Sequence, residues 1–574
     1  MSWFIGYTGK NSPILNEYIS SLNLIQKDEV LVNNLRFVYG GKEVNLKTKS
    51  YPDSSGWIVS GIPVSAGTDK FRFMRNDDWK DLLSKKNLNL KNIDGHFAGL
   101  KWGNQGITFF NDRLGLRDIY FLKVNSSYFF STRLDWIAKF NKDNRINIDE
   151  FSTNWLLTHK ISWENIIECI EQLGPEGRAI IHNDSLEIIN NPLIISSSRF
   201  KDNKHFIDSL RKFVTLPLDE NKNLSLGLSG GLDSRLLIEL LLSRNSSRWQ
   251  THTFGSNQNY DVKIARQIST GCKVNYLQMD IDIPPKGKII EMFYNLIPQL
   301  GITSITSDTL IYSLYPEIDK NNNFIIDGAY GEIFRRAFLV KLLLTGKEDI
   351  LNRNPLRFFE ALKSHKADIF TDDVIKLLKE KAIYKIDGTL KIFSDPADVG
   401  IENWLDNFLI VTKVPSVSSF SQTLLDNLCS AYMPFIQPSL LESGLALPVN
   451  YRTNGYLFRE LIKKGKNNLE FYPLVKDQII YPYFLPTFYA RIYMKLKRKL
   501  GFTFTDEARY KILDELRDFI FDKFNSLEVK NFSWYDYKKI DRIIKNYYSG
   551  QKNLADNLLW WLTFELWRES FKIK

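Results

Sequence analysis

Cysteine is nearly absent from this chain of 574 residues. Cys169, Cys272 and Cys429 lie far apart in the sequence, which excludes a disulfide-stapled scaffold and any cysteine metal spacing, and fits reduced thiols in a cytoplasmic protein. The six histidines are scattered too, so a metal cluster is not expected. Long apolar runs are missing: no uninterrupted stretch reaches transmembrane length. The opening Met1-Ser2-Trp3-Phe4 has no basic head before an apolar core, so it does not read as a signal peptide. The net charge of +10 is spread along the chain, with no basic block interleaved with aromatics standing out, so neither nucleic acid nor a membrane is an expected partner.

What the chain does have is size and apolar content. Its length exceeds what one hydrophobic core usually supports, so two or more domains are expected, and 44% apolar and 14% aromatic residues can fill them. Up to about residue 185, short apolar runs at 57–59, 97–100, 107–110, 119–121 and 128–130 alternate with turn signals. Helical patterns lie at 78–83 and 149–158, which together predict an α+β domain of antiparallel strands. A polar Ser/Asn/Lys stretch closing at residue 203 reads as a linker.

Beyond it, 224–228 has the length and apolarity of a buried strand, and the apolar run after Ser234 has those of a helix packed on a sheet. Between them stands Ser229-Gly230-Gly231-Leu232-Asp233-Ser234. Two glycines let the backbone approach a ligand, hydroxyls add donors, and the free amides and dipole of a helix start favour an anion. Asp233 would repel that anion unless a cation, most naturally magnesium, sat between them. This is the pattern of a nucleotide pyrophosphate loop in its strand–loop–helix context. Further on, 249–255 reads as a strand, 261–268 as a helix, 273–277 and 324–326 as strands, and 340–430 as mostly helical. Strands alternating with helices predict a parallel sheet with its ligand beyond the carboxyl ends of the strands.

The loop resembles that of the ATP pyrophosphatases, in the spelling of the asparagine synthetases and their relatives, the β-lactam synthetases and lasso-peptide cyclases. The first domain joins the resemblance through Ile93-Asp94-Gly95-His96-Phe97-Ala98, the run from Asn111 to Phe121 and Ile170-Glu171-Gln172-Leu173-Gly174-Pro175-Glu176-Gly177. It is similar to a type 2 glutamine amidotransferase domain. The resemblance spans nearly the whole chain and implies an N-terminal-nucleophile-like sandwich over 1–185, a linker over 186–203, and an asparagine synthetase-type α/β domain of the adenine-nucleotide α-hydrolase kind, with a helical C-terminal part, over 204–574. The family requires cysteine after the initiator methionine and this chain has Ser2, while the family's glutamine-holding Asn-Gly-Glu falls on Ser60-Gly61-Ile62. Glutaminase activity is therefore not expected.

In the second domain the resemblance implies ATP and magnesium as ligands and an ATP-dependent carbon–nitrogen ligase acting through an acyl-adenylate. Leu226, Leu228, Phe254, Gly255 and Gly328 join residues 229–234 around the nucleotide. Asp233 with Asp327 or Glu332 holds the metal. Glu332, Tyr330, Arg335 and Arg336 are the candidate catalytic residues, the tyrosine and glutamate for deprotonating a nucleophile and the arginines for phosphate oxygens. The ungapped correspondence puts Gly328 and Gly331 where the family carries carboxylates, and Gly455 where it carries a lysine, leaving Arg452, Lys463, Lys464 or the two arginines to supply that charge. Expected partners are a carboxylate substrate and an amine or ammonia acceptor, with a peptide or a sugar precursor as the larger alternatives. Intramolecular amide formation, a nucleotide-binding homologue without turnover, and a homodimer stay open.

Overall fold

The computed structural model describes residues 2–9, 13–22, 27–32, 34–41, 44–46, 55–67, 70–85, 88–104, 106–182, 185–195, 203–244, 247–280, 282–336, 346–500 and 507–574. The linker stretch at 196–202 and the start of the expected 340–430 helical region lie outside these.

The first part of the chain forms strands β1 (Ser2–Thr8), β2 (Lys27–Val32), β3 (Leu35–Gly41), β4 (Val44–Leu46), β5 (Gly56–Gly67), β6 (Lys70–Phe73), β7 (Ile93–Gly103), β8 (Gly106–Asn111), β9 (Tyr120–Val124), β10 (Ser127–Ser131), β11 (Ile170–Gln172), β12 (Arg178–His182) and β13 (Ser185–Ile189). They make two antiparallel sheets, in the orders β11-β9-β10-β1-β3-β2 and β13-β12-β8-β7-β5-β4, with β6 paired to β5. Side chains alternate along each strand, so Phe4, Phe37, Phe121 and Phe130 of one sheet meet Ile58, Leu100 and Phe109 of the other in a shared core. The alternate residues are buried as well. Trp3, Ile5 and Phe129 pack with the helices Lys286–Leu300 and Ala555–Ser570, and Val59, Phe97 and Phe110 pack with Trp79 of the helix Asn76–Leu83. The result is a sandwich covered on both outer faces. It runs at least to Ile189, since β13 pairs along its length with β12, past the boundary read at 185.

The second sheet system is parallel throughout: β14 (Asn223–Gly227), β15 (Trp249–Phe254), β16 (Tyr276–Met279), β17 (Asn323–Ile326) and β18 (Ala431–Tyr432), in the order β16-β15-β14-β17-β18. The strand read at 273–277 begins later, because Lys273 with φ 56° closes the turn after the helix Tyr260–Gly271. The C-terminal helix Ala555–Ser570 returns to the sandwich, where Phe564 lies 5.3 Å from Phe151. Its tryptophan stripe is core: Trp561 and Trp567 are buried. Among the described residues no helix is long and apolar enough to cross a membrane.

Candidate functional site

From β14 the chain moves outward to β15 and β16, then crosses to the other side for β17 and β18. The strand order reverses between β14 and β17, so the loops after these two strands diverge and open a crevice at their carboxyl ends. A cavity of about 540 Å³ lies there. Leu228, Ser229, Gly231, Leu232, Asp233 and Ser234 line it from β14, Phe254 from β15, and Asp327 and Gly328 from β17. Of the other residues expected around the nucleotide, Leu226 is a buried core residue of β14, and Gly230 and Gly255 stand outside the lining.

The loop is closed on itself. Ser229 Oγ lies 3.1 Å from Ser234 Oγ and accepts from Gly231 N at 3.1 Å, while Gly230 N donates to Asp261 Oδ1 at 2.8 Å. Gly231 caps the helix Leu232–Leu242 in extended geometry without a side-chain cap, so the helix dipole faces the cavity.

The loop after β17 presses directly on that helix start. A Cβ on Gly328 would stand 2.7 Å from Ser234 N, and one on Gly331 would stand 2.5 Å from Asp233 Cγ. The two glycines that replace expected carboxylates are thus what lets the loops touch. The charge brought to Asp233 is Arg335, whose Nη2 lies 2.5 Å from Asp233 Oδ2. Burial pushes the Asp233 carboxyl up from its usual range, and Arg335 offsets only part of that rise. Asp233 Oδ1 is buried with no hydrogen-bond partner among the described residues. That orphaned oxygen suits a divalent cation shared with phosphates, which needs only one or two protein carboxylates. Asp327 Oδ1 instead accepts from Ala329 N at 2.8 Å, Glu332 Oε1 faces Lys413 Nζ at 3.3 Å, and no group of three metal ligands forms among the described residues.

A hairpin that the motif reading did not single out forms the opposite wall. Strands β19 (Leu474–Lys476) and β20 (Ile479–Tyr481) pair antiparallel. Their two turn residues, Asp477 and Gln478, have φ of 49° and 56°, as two-residue hairpins require but non-glycine residues rarely adopt. Gln478 is held there by Tyr260 N at 3.0 Å, Asn259 Oδ1 at 3.1 Å and Asp261 Oδ2 at 3.0 Å. Val475 N donates to Gly230 O at 3.0 Å, and a Cβ on Gly230 would strike Val475 at 2.4 Å. Buried Arg235 ties down the approach by donating to Leu469 O, Tyr472 O, Pro473 O and Gly230 O. The hairpin therefore places Lys476 in the cavity lining with Arg335. Burial and the like charges of Arg491 and Arg335 push the Lys476 ammonium below its ordinary value, and Arg491 is lowered by burial and Arg335 in turn. Lys476 and Arg335 beside a helix N-terminus make a site that favours a polyanion.

The remaining expected residues divide. Tyr330, left-handed at φ 66°, lies with its ring 5.7 Å from the same Lys413 Nζ that faces Glu332, so these two candidates are brought together around one cation. Burial pushes the Tyr330 phenol well above its usual value. Arg336 is turned elsewhere: its Nε donates to Asp406 Oδ1 at 3.1 Å, and Arg452 binds the other oxygen of Asp406, all three side chains buried. Neither arginine lines the cavity. Lys464 pairs with Glu460 at the surface, and Lys463 lines a neighbouring groove. Gly455, at φ 69°, abuts the Arg335 side chain, where a Cβ would stand 3.3 Å from Cδ and 2.7 Å from Leu232. The space left by the absent lysine is bordered by Arg335.

No protein-family model matches this chain. No curated protein matches it either. Among solved structures it is similar to a glutamine-dependent NAD+ synthetase from Acinetobacter baumannii in complex with ADP, at 13% identity over 29% of this chain and 31% of that one, with a TM-score of 0.18. It is also similar to glutamine phosphoribosylpyrophosphate amidotransferase from B. subtilis complexed with ADP and GMP, at 9% identity over 48% and 65% of the two chains and a TM-score of 0.23. A third likeness is to an allosteric regulatory enzyme of purine biosynthesis, at 10% identity over 50% and 76% and a TM-score of 0.21. The match spans under a third of the NAD+ synthetase, and at these scores the likenesses carry no chemistry across.

The sandwich has its own buried polar centre. Ser2 is fully buried and its Oγ has no hydrogen-bond partner among the described residues. Ser60 Oγ accepts from Arg117 Nη2 at 3.2 Å, and the same nitrogen donates to Ser2 O at 2.7 Å. Arg117 Nε faces Asp426 Oδ2 at 3.2 Å, and His96 Nε2 lies 3.0 Å from Asp426 Oδ1. A hydroxyl nucleophile needs a base within hydrogen-bond reach, and among the described residues no side chain offers Ser2 Oγ one.

Proposed function

We propose that the chain is an asparagine synthetase-like, ATP-dependent carbon–nitrogen ligase that works without a glutaminase of its own. The observation that carries this reading is the anion site: the N-terminus of the helix Leu232–Leu242 faces a cavity whose walls contribute Arg335 and Lys476. The ATP triphosphate lies across the 229–234 loop, with the two cations on its β and γ phosphates. A substrate carboxylate oxygen attacks the α-phosphorus, the bond to the bridging oxygen breaks, and pyrophosphate leaves with the electron pair. An amine or ammonia then attacks the acyl carbon, AMP departs, and the nitrogen's proton passes to the Glu332 carboxylate, which stands with Tyr330 around Lys413. Asp233 would hold a magnesium ion, which when bound would supply positive charge to the departing pyrophosphate. Holding pyrophosphate in a dry, preorganised cationic site contributes most of the rate.

With no side-chain base beside Ser2 among the described residues, free ammonia or a bound amine is the proposed acceptor, and intramolecular amide formation of the β-lactam synthetase or lasso-cyclase type is compatible with it. A second reading, a nucleotide-binding homologue without turnover, is favoured by the occupied amides of Gly230 and Gly231 and by the glycine at 331. ATP–pyrophosphate exchange over a panel of carboxylates that includes aspartate separates the two. Carboxylate-dependent exchange that disappears in Asp233→Ala supports the ligase; ATP binding with no exchange for any acid moves the assignment to the non-catalytic homologue.

A further inference from the structure

Next to the nucleotide site the surface turns apolar and basic. The helix Thr487–Lys499 is anchored by Ala490 and Met494, both buried in the main core. Its Tyr489, Ile492 and Leu496, with Leu500 just beyond, are 46% to 74% exposed. Their spacing of three, four and four residues puts them on one outward face. Phe471 and Phe484, each 78% exposed, and Tyr456 stand beside them, lining a groove of about 970 Å³ with Tyr493 and Lys497 of the same helix. Seven of the sixteen exposed large hydrophobics among the described residues fall between 456 and 500. Such clustering marks a binding surface; singly scattered ones would not.

The charge of this region is of one sign. Between 479 and 505 the chain carries Arg491, Lys495, Lys497, Arg498 and Lys499 and no aspartate or glutamate. Lys495 and Lys499 are exposed beside the apolar row. Of the groove's two carboxylates, Glu460 and Glu470, the first is paired with Lys464. The chain-wide charge of +10 hides this local concentration.

We propose that this face docks on an anionic lipid surface, with Ile492, Leu496 and Leu500 entering the headgroup boundary and the lysines meeting lipid phosphates. An exposed apolar row flanked by lysines on a helix too short to span is the design of an interfacial helix. A second copy of the chain fits less well, since a two-fold contact would set this cationic face against itself. A nucleic acid would exploit planar rings, and the row is mainly aliphatic. Tyr481 lines both the groove and the nucleotide cavity, so the docking face stands beside the nucleotide site. The docking itself does not depend on the ligase reading.

The test is co-sedimentation of the full chain with vesicles of phosphatidylcholine alone and of phosphatidylcholine with phosphatidylglycerol. Binding to the anionic vesicles only, weakened by salt and reduced more than tenfold in Ile492→Asp/Leu496→Asp and in Lys495→Glu/Lys499→Glu, is the expected result, each cation near the surface being worth roughly 1 kcal/mol. The substituted side chains are exposed, and unchanged circular dichroism and thermal melting of the same variants report that they remain folded. No binding to anionic vesicles, binding that both variants leave intact, a dimer abolished by Ile492→Asp/Leu496→Asp, or displacement from vesicles by a single-stranded oligonucleotide would each overturn the proposal.

Discussion

At the scale of single residues, the site turns on which side chain supplies each charge. Lys476 is the clearest case, because burial and two neighbouring arginines disfavour its ammonium until an anion arrives. Replacing it with methionine keeps the stem and removes the charge. ATP affinity by calorimetry should fall roughly tenfold or more, about 1.4 kcal/mol, while Lys464→Met, at a paired surface lysine, should leave it unchanged. Gly331 makes the opposite point. Restoring a carboxylate there looks like a repair in the sequence, yet its Cβ would collide with Asp233 at 2.5 Å. Gly331→Asp is therefore expected to lose about 1–3 kcal/mol of stability by overpacking and to weaken ATP binding; a rise in pyrophosphate exchange would show that the loop can yield.

At the scale of elements, the 229–234 loop works because other elements press on it. The hairpin Leu474–Tyr481 is held by Arg235, whose guanidinium reaches four carbonyl oxygens. Burial lowers its pKa to about 10, still cationic at neutral pH. Arg235→Met removes these donations while Gly230 O keeps the Val475 amide, a loss on the order of 3 kcal/mol. Hydrogen exchange should show the Val475 amide, bonded to Gly230 O, opening faster while β14 and β15 stay protected. Equal loosening of all three would mean that Arg235 holds the whole domain and not the hairpin in particular. This element also shows what the sequence displays and what it hides. The pyrophosphate loop was legible because its chemistry is local: glycines, hydroxyls and a strand–helix junction within a few residues. Some strands and helices, such as β7, β8, β14 and the helix Tyr260–Gly271, were legible from period. The hairpin was not, since Asp477-Gln478 is not turn-forming dipeptide chemistry and its left-handed backbone is imposed by contacts with Asn259, Tyr260 and Asp261. Arg336 beside Arg335 illustrates the same limit, for their divergence to Asp406 and Asp233 depends on long-range packing.

At the scale of the whole molecule, the question is whether the sandwich and the parallel-sheet part fold as one. They meet across polar links: Asp94 accepts from Ser439 N at 2.8 Å, Arg113 Nη2 reaches Glu442 Oε1 at 2.6 Å, and buried Asp426 binds both His96 and Arg117. Burial alone would raise the Asp426 carboxyl, but His96 and Arg117 more than offset it and hold it below its ordinary value. Its folded pKa thus lies under its unfolded one, so the unfolded chain takes up the proton first, and the stabilisation is present above about pH 4 and lost as pH falls through the folded value. Asp94 and Asp118, raised by burial to about 6, work the other way, because their ionisation costs stability above that pH. The informative quantity is therefore the difference between wild type and Asp426→Asn, in which these terms cancel. Removing the charge strands a buried arginine, a loss of about 3–5 kcal/mol at neutral pH. The gap should hold steady from pH 7 to about 5 and narrow below 4. Calorimetry should resolve one transition in the wild type into two in the variant, the sandwich separating from the parallel-sheet part. A single transition lowered as a unit would show that the apolar contacts between them, and not this charged link, make the molecule cooperative.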